Sequence, residues 1–448
     1  MFTPESIKSL FLAAVQHVTA HIHDFSFHPG KDFSRFRKFS VDTLIRFLVA
    51  QGSSSTKVEL LDFFDFDSNA PSSSAFCQQR AKLKPEAIQE TFDVFNASLI
   101  ALEQPVHCVA PGYRCLAVDG SSVSFYSTPR FSPEDYFVSQ GHSIKGFYSL
   151  HVNALFDIDR HLYTDVELQS VHAKDEFRAF CSMADRQPLL PETKDIYIGD
   201  RGYCSYNNMA HVLEKGQYFL FRSKDVLSKG ILKNLGLPTE GVFDETVTIT
   251  VTRRKSKRIQ PPPGSHLRFI GQDISFDYVE YGSDDTYTMT FRVVRIPLPS
   301  GSYECLVTNL PREEFPPERL AELYFSRWQI ECAYRDLKYT IGMDSFHSCK
   351  AMFIEQEVLA RLLLYNITEA LVQSTVVENG DTKHEYKVNF TSATHICRAF
   401  LRKPAGKDQI DTAALLRREL IPIRGGRSYP RLQTAHFRRP KYFAYRAA

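Results

Sequence analysis

The 448-residue sequence predicts a mixed α/β fold of two or more domains, with a helical N-terminal region and a basic C-terminal segment. Three observations carry this expectation. Helical apolar spacing dominates to about residue 108. Beyond it, short apolar runs suited to buried strands alternate with helical stretches. Between Arg398 and Ala448, 13 Lys or Arg stand against three acids, Asp408, Asp411 and Glu419.

In residues 1–108, apolar side chains recur at helical spacing through Ile7, Leu10, Phe11, Ala14 and Val18, then through Val41, Leu44, Ile45 and Leu48. Gly52 to Ser55 and Pro71 to Ser74 read as breaks between helices. Ala75 to Asn96 follows, with Arg80, Lys82 and Lys84 near its start and Pro85 interrupting it. Both a DNA-end-binding unit and an ordinary helical subdomain have this character.

Residues 109–225 change register. Tyr113 to Val118 is a short strand ending at Asp119 and Gly120. Phe147 to Ile158 and His161 to Leu168 form two more strands, joined by a polar turn at Asp159 and Arg160. Asp175 to Asp185 is helical, Asp195 to Ile198 is a strand leading to Gly199 and Asp200, and Tyr206 to Glu214 is a helix. Three strands, a helix, a strand and a helix is the order of an RNase H-like catalytic core, and other mixed α/β domains share it.

Residues 226–300 read as a β-rich insertion. Thr246 to Thr252 alternates strictly between apolar and hydroxylic residues, and Thr286 to Ile296 is a second long strand. Arg253, Arg254, Lys255, Lys257 and Arg258 form a basic cluster, either a hairpin tip for a DNA backbone or an exposed loop. Residues 301–375 resume the core. They hold a strand from Glu304 to Asn309, one long helix from Pro316 and Pro317 to about Thr340, and an apolar helix from Phe353 to Val372. Residues 376–448 are the basic C-terminal region.

Composition narrows the class. No apolar run reaches the roughly 18 to 20 residues of a membrane span. The N-terminus lacks a secretory pattern, because Gln16 and His17 soon break its apolar stretch. Nine scattered cysteines without a Cys-x-x-Cys pair read as reduced cytoplasmic thiols. The net charge of +2 hides a division into +10 from Arg398 onward and −8 before it. Such a tail either binds a polyanion or merely solubilises the chain.

At about 100° per residue, Tyr324, Arg327, Glu331 and Lys338 fall within roughly a 60° arc, beside an apolar stripe of Leu323, Ile330 and Leu337. Tyr324 and Lys338 lie roughly 10 Å along the axis from Glu331, too far to share one metal but spaced to hold neighbouring DNA phosphates. Spacing alone equally allows a solvent-facing stripe with an Arg327–Glu331 pair.

The pattern Tyr-x2-Arg-x3-Glu-x6-Lys, with Asp119-Gly120 and Asp200-Arg201-Gly202-Tyr203 each following an apolar strand, resembles the insertion-sequence family 4 branch of bacterial DDE transposases. The order Asp, Asp, β-rich insertion, Glu also fits, with 130 residues between Asp200 and Glu331. The resemblance covers roughly residues 110 to 375. It implies metal-dependent cleavage at the ends of an insertion sequence and strand transfer into target DNA. Asp119, Asp200 and Glu331 would hold two Mg²⁺ ions, with Mn²⁺ able to substitute. Asp119 would bridge them, Asp200 take one and Glu331 the other. Tyr324, Arg327 and Lys338 would bind phosphates. Arg253, Arg254, Lys255, Trp328 and Arg335 are candidate further DNA contacts.

The implied partners are double-stranded DNA, at terminal inverted repeats and target, and a second copy of the chain. The implied place is the bacterial cytoplasm at the nucleoid. The best-known members stack a flipped base on a tryptophan in the insertion. Here the single tryptophan, Trp328, sits on the Glu helix, which leaves Tyr278, Tyr281, Tyr287 or Phe291 as substitutes. A structure-selective nuclease on the same fold and a non-catalytic DNA-binding descendant remain alternative readings. His17, His21 and His23 are expected on a polar helix face. Asp157, Asp159 and Asp165 are expected in turns and on the outer sheet face, and Cys204 has no evident activating His.

Overall fold

Apolar runs of the length of strands, punctuated by glycine and proline, leave this chain no way to bury its surface except as a sheet covered by helices. The computed structural model describes residues 3–35, 37–102, 108–140, 143–191, 193–256, 258–298, 301–377, 384–403 and 410–423. The expected basic tail beyond residue 423, and Lys257, lie outside them.

Six helices open the chain: α1 (Pro4–Ala20), α2 (Ile22–Phe25), α3 (Val41–Ala50), α4 (Thr56–Phe63), α5 (Ser73–Arg80) and α6 (Glu86–Leu102). The sheet follows with β1 (Tyr113–Phe125), β2 (Phe137–Gln140), β3 (Ser143–Asp157) and β4 (Leu162–Ser170). Then come α7 (Glu176–Arg186), β5 (Lys194–Gly199), α8 (Tyr206–Glu214) and β6 (Tyr218–Ser223). Strands β7 (Phe243–Thr252), β8 (Ser265–Phe269), β9 (Thr286–Pro297) and β10 (Tyr303–Thr308) precede α9 (Pro317–Ser326), α10 (Trp328–Tyr339) and α11 (Ala351–Gln373). The chain closes with β11 (Tyr386–Val388), α12 (Phe390–Arg402), α13 (Thr412–Arg418) and β12 (Leu420–Pro422).

The main sheet runs β2-β3-β1-β5-β6-β10-β9-β7-β8, with β4 also paired to β3. β1, β3 and β4 form an antiparallel meander, and β5 and β6 are parallel to β1. β1 does not stop at Val118 as expected. Its ladder with β3 continues to Phe125 opposite Tyr148, so Asp119 lies within a strand. The β-rich segment continues the same sheet through β10. β7 pairs with β8 in parallel, so Arg253, Arg254, Lys255 and Arg258 sit on a crossover and not at a hairpin tip.

Two apolar cores cover the two faces. One joins α7 and α8 to β7 and β9. The other joins the N-terminal helices to α10, α11 and α12, so residues 3–102 share their core with the rest of the chain. Arg80, near the start of the segment that reads as either a DNA-end-binding unit or an ordinary helical subdomain, is buried. Its Nε donates to Gln356 Oε1 at 2.7 Å and its Nη1 to Glu357 Oε1 at 3.0 Å on α11. Asp157 and Asp165 are likewise buried and not on the outer face. Asp157 pairs with Arg160 at 3.0 Å and Asp165 with Arg186 at 2.8 Å. Each ion is inside because it has a partner, which local sequence does not reveal.

The expected single helix from Pro317 to Thr340 is interrupted at Arg327. There Arg327 N donates to Tyr324 O and Ile330 N to Arg327 O, both at 3.1 Å, a tight turn of three-residue bonds between α9 and α10.

Candidate active site

β1 and β5 are parallel neighbours, and Val118 opposite Gly199 is their last paired position. Asp119 and Asp200 are the next residues, so two carboxylates emerge side by side where the pairing of β1 with β5 ends. Gly199 permits this closeness, since a Cβ there would lie 2.9 Å from Tyr203 Cβ and 3.0 Å from Val118 Cγ1.

The Gly120 N–H donates to Asp119 Oδ1 at 2.9 Å. Burial nonetheless pushes the Asp119 carboxyl up to about 6. The Gly120 N–H and the Arg327 charge oppose that rise, while Glu331 and Glu176 add to it. Asp200 caps the single turn after it, accepting from Arg201 N at 2.6 Å. The Tyr324 hydroxyl donates to Asp200 Oδ1 at 3.4 Å, and Arg222 Nη1 stands 3.7 Å from the same oxygen.

Glu331 comes from α10, whose Ile330 and Leu337 are buried as the apolar stripe predicts. The Tyr334 hydroxyl pins this helix to the sheet, 3.1 Å from the Asp119 carbonyl and 3.2 Å from that of Val152. Arg327 Nη2 donates to Glu331 Oε1 at 2.8 Å across the tight turn. Lys338 Nζ reaches the Ser122 carbonyl on β1 at 3.3 Å. The polar stripe therefore faces the sheet edge and not open solvent, with Tyr324 and Arg327 both buried. Among the described residues no three His, Cys, Asp or Glu side chains are grouped closely enough to hold a metal ion. Glu331 is instead turned onto Arg327.

One acid at this site has no signal in the sequence. Glu176, the first residue of α7, is 57 positions from Asp119 and one of 52 acids. It contacts Lys174 Nζ at 2.8 Å and His151 Nε2 at 3.1 Å, the latter at an angle poor for hydrogen bonding. The His151 contact is the main reason its carboxyl is held down at about 2. His151 is buried, and its Nδ1 lies 3.2 Å from Ser122 Oγ.

The other expected contacts are dispersed. Arg253 is buried with its Nη2 on the Ile274 carbonyl, which withdraws it from the surface. Arg254 pairs with Asp284 at 3.1 Å, and Lys255 lies over the Phe269 ring at 4.7 Å. Trp328 and Arg335 are exposed at the rim of a cavity of about 620 Å³ beside α10 and α11. Of the candidate stacking residues, Phe291 is buried, Tyr278 and Tyr287 pack on one another, and Tyr281 is exposed. His17 bonds to Glu90 at 3.0 Å on a helix face, and burial pushes the Cys204 thiol up to about 12, leaving it inert. No described helix is long and apolar enough to cross a membrane.

Comparison with known proteins bears on this geometry. The chain is 28% identical over 130 residues to the transposase InsG of insertion sequence element IS4 from Escherichia coli (strain K12), covering 26% of this chain and 28% of that protein. It is 28% identical over 79 residues to the transposase of insertion sequence element IS421 from Escherichia coli, covering 18% and 21%. The matched stretches thus span less than a third of either relative. A piggyBac transposase synaptic complex with hairpin DNA aligns over 93% of this chain and 82% of its own, at 9% identity and a TM-score of 0.48. Residues 110–367, more than half the chain and the span holding Asp119, Asp200 and Glu331, match the family described as the transposase DDE domain, and the chain belongs to that family.

Proposed function

We propose that this chain is a DNA transposase that cleaves the ends of its own insertion sequence and joins them to target DNA. The observation that carries this reading is the pair Asp119 and Asp200, each following the last paired position of parallel β1 and β5, with α10, the helix of Glu331, pinned to β1 by Tyr334. In this reading the strands β4-β3-β1-β5-β6 with α7 and α8 are an RNase H-like core. Strands β7 to β9 are an insertion before the Glu helix, and residues 1–108 and 376–448 flank the core.

The donor set fits divalent metal ions of the magnesium or manganese kind. All three ligands are hard carboxylate oxygens, and the burial that raises Asp119 is relieved by a cation. Asp119, Asp200 and Glu331 would hold two ions, which when bound supply the charge that activates the attacking oxygen and stabilises the leaving one. The chain's other residues do the positioning. Arg327 and Lys338 bring fixed positive charge to the phosphate backbone, and the Tyr324 hydroxyl donates to a phosphate oxygen beside Asp200. Tyr334 keeps α10 at the height of β1. Cutting two element ends requires two such sites, so the working form is a pair of chains on DNA.

The test uses a labelled duplex from the DNA flanking the gene, with Mg²⁺ or Mn²⁺. Metal-dependent nicking at the element end, lost in Asp119→Ala and Glu331→Ala variants that still bind DNA, supports the site. A joined product separates transposition from simple nuclease action. Folded, DNA-binding chain that cuts with neither metal sinks the catalytic reading.

A further inference from the structure

A second surface, away from the carboxylates, has the chemistry of a duplex-reading element. Helix α5 is anchored from behind: Phe76 is fully buried among Phe39 and Phe47, and Arg80 is clamped to Gln356 and Glu357 of α11. Its outward stripe is Ser74, Cys77, Gln78 and Ala81, at i, i+3, i+4 and i+7, and all four are exposed. In a chain with 24% charged residues, this stripe carries no charge at all.

Cations stand beside it. Arg37, Lys38 and Lys82, with Ser72, Gln78 and Gln79, line a groove of about 490 Å³ along the helix. None of those three cations enters an ion pair among the described residues, whereas Arg80 beneath them does. Lys38 instead reaches the Asn69 carbonyl, and Lys82 reaches Gln79 Oε1 at 3.2 Å. Gln78 Nε2 lies 3.4 Å from Ser74 Oγ, so the amide is already oriented by its neighbour one turn back.

An uncharged stripe beside cations that enter no ion pair suits base edges beside phosphates. Gln and Ser read base edges through hydrogen bonds, while Lys and Arg hold the backbone. Eight residues at 1.5 Å each give a helix about 12 Å long, close to the width of a major groove. We propose that α5 enters the major groove of duplex DNA, with Gln78 and Ser74 contacting base edges and Arg37, Lys38 and Lys82 contacting flanking phosphates. The inference rests on reading the chain as a DNA transposase and assigns its sequence recognition to this helix.

The test is selection of bound duplexes from a randomised library by the full chain without added metal, so that cleavage plays no part. Wild type should enrich one motif. Gln78→Ala should lose about tenfold of the discrimination at one or two positions of that motif, with Ser74→Ala acting at the same positions. Lys38→Ala with Lys82→Ala should weaken every duplex alike and lower the salt slope by about one per lost contact. Thermal melting of each variant checks that the fold is kept. An enriched motif that neither Gln78→Ala nor Ser74→Ala changes overturns this proposal and leaves the transposase reading standing. Altered base preference in a chain that never cuts its element ends keeps this proposal and overturns the catalytic one. Wild type that retains no DNA overturns both.

Discussion

His151 and Glu176 meet at 3.1 Å across the bare backbone of Gly120. A Cβ on Gly120 would stand 2.6 Å from His151 Nε2 and 2.9 Å from Glu176 Oε1. Because His151 is buried, it has nowhere to retreat. Gly120→Ala should therefore cost about 1–3 kcal/mol in a urea unfolding titration. It should also lower cleavage more than stability alone explains, since Asp119 is the adjoining residue. An Ala variant as stable and active as wild type would show that this contact is not needed.

Arg327 and Glu331 are joined across the turn between α9 and α10. Arg327→Ala removes the guanidinium that holds Glu331, so single-turnover cleavage should fall at least about a hundredfold. Arg327→Lys restores the charge but not the planar fork, and should recover only part of it. Full recovery by lysine would mean that charge alone matters.

The Asp119 carboxyl titrates at about 6 in the folded chain, against roughly 3.9 when unfolded. The folded state thus holds an extra proton between those values. Its stabilising contribution is complete below about pH 4 and is lost as pH rises through 6. In a metal-free buffer, the stability of Asp119→Asn should lack this decline, as calorimetry from pH 4 to pH 7 would reveal. Divalent metal binding by wild type should tighten over the same interval, because an ion must displace that proton. Affinity independent of pH across that interval would exclude Asp119 as a ligand.

Arg80 and Glu357 are both fully buried and paired at 3.0 Å, with Arg361 and His347 also on Glu357. Arg80→Met leaves a carboxylate without its nearest charge, at an expected cost of about 3–5 kcal/mol. Pairing it with Glu357→Gln should recover part of that loss. A denaturation midpoint unchanged in Arg80→Met would show that Arg361 and His347 suffice.

Much of the frame follows from local pattern. Apolar runs marked β1, β3, β4 and β5, and helical periodicity marked α7, α8 and α11, because these patterns state which face of an element is buried. The spacing of Tyr324, Arg327, Glu331 and Lys338 likewise set one polar face, which runs over α9 and α10 and not along a single helix, and their types suited phosphate and metal chemistry. Those residues, with Asp119 and Asp200, were legible before any coordinates. What periodicity does not encode is which distant side chain meets which. Arg80, Asp157 and Asp165 look like surface charges until Glu357, Arg160 and Arg186 are seen beside them. The turn at Arg327 and the parallel pairing of β7 with β8 depend on how neighbouring elements dock. Glu176 enters the site only because α7 packs against β3 and β4 and Gly120 leaves room for its carboxylate. By itself, the sequence singled out Asp119, Asp200 and Glu331 as candidate metal ligands and gave the strand or helix character of the segments around them. Tertiary packing alone decided their partners, since burial of a charge is settled by its counter-ion in space and not by its neighbours in the chain.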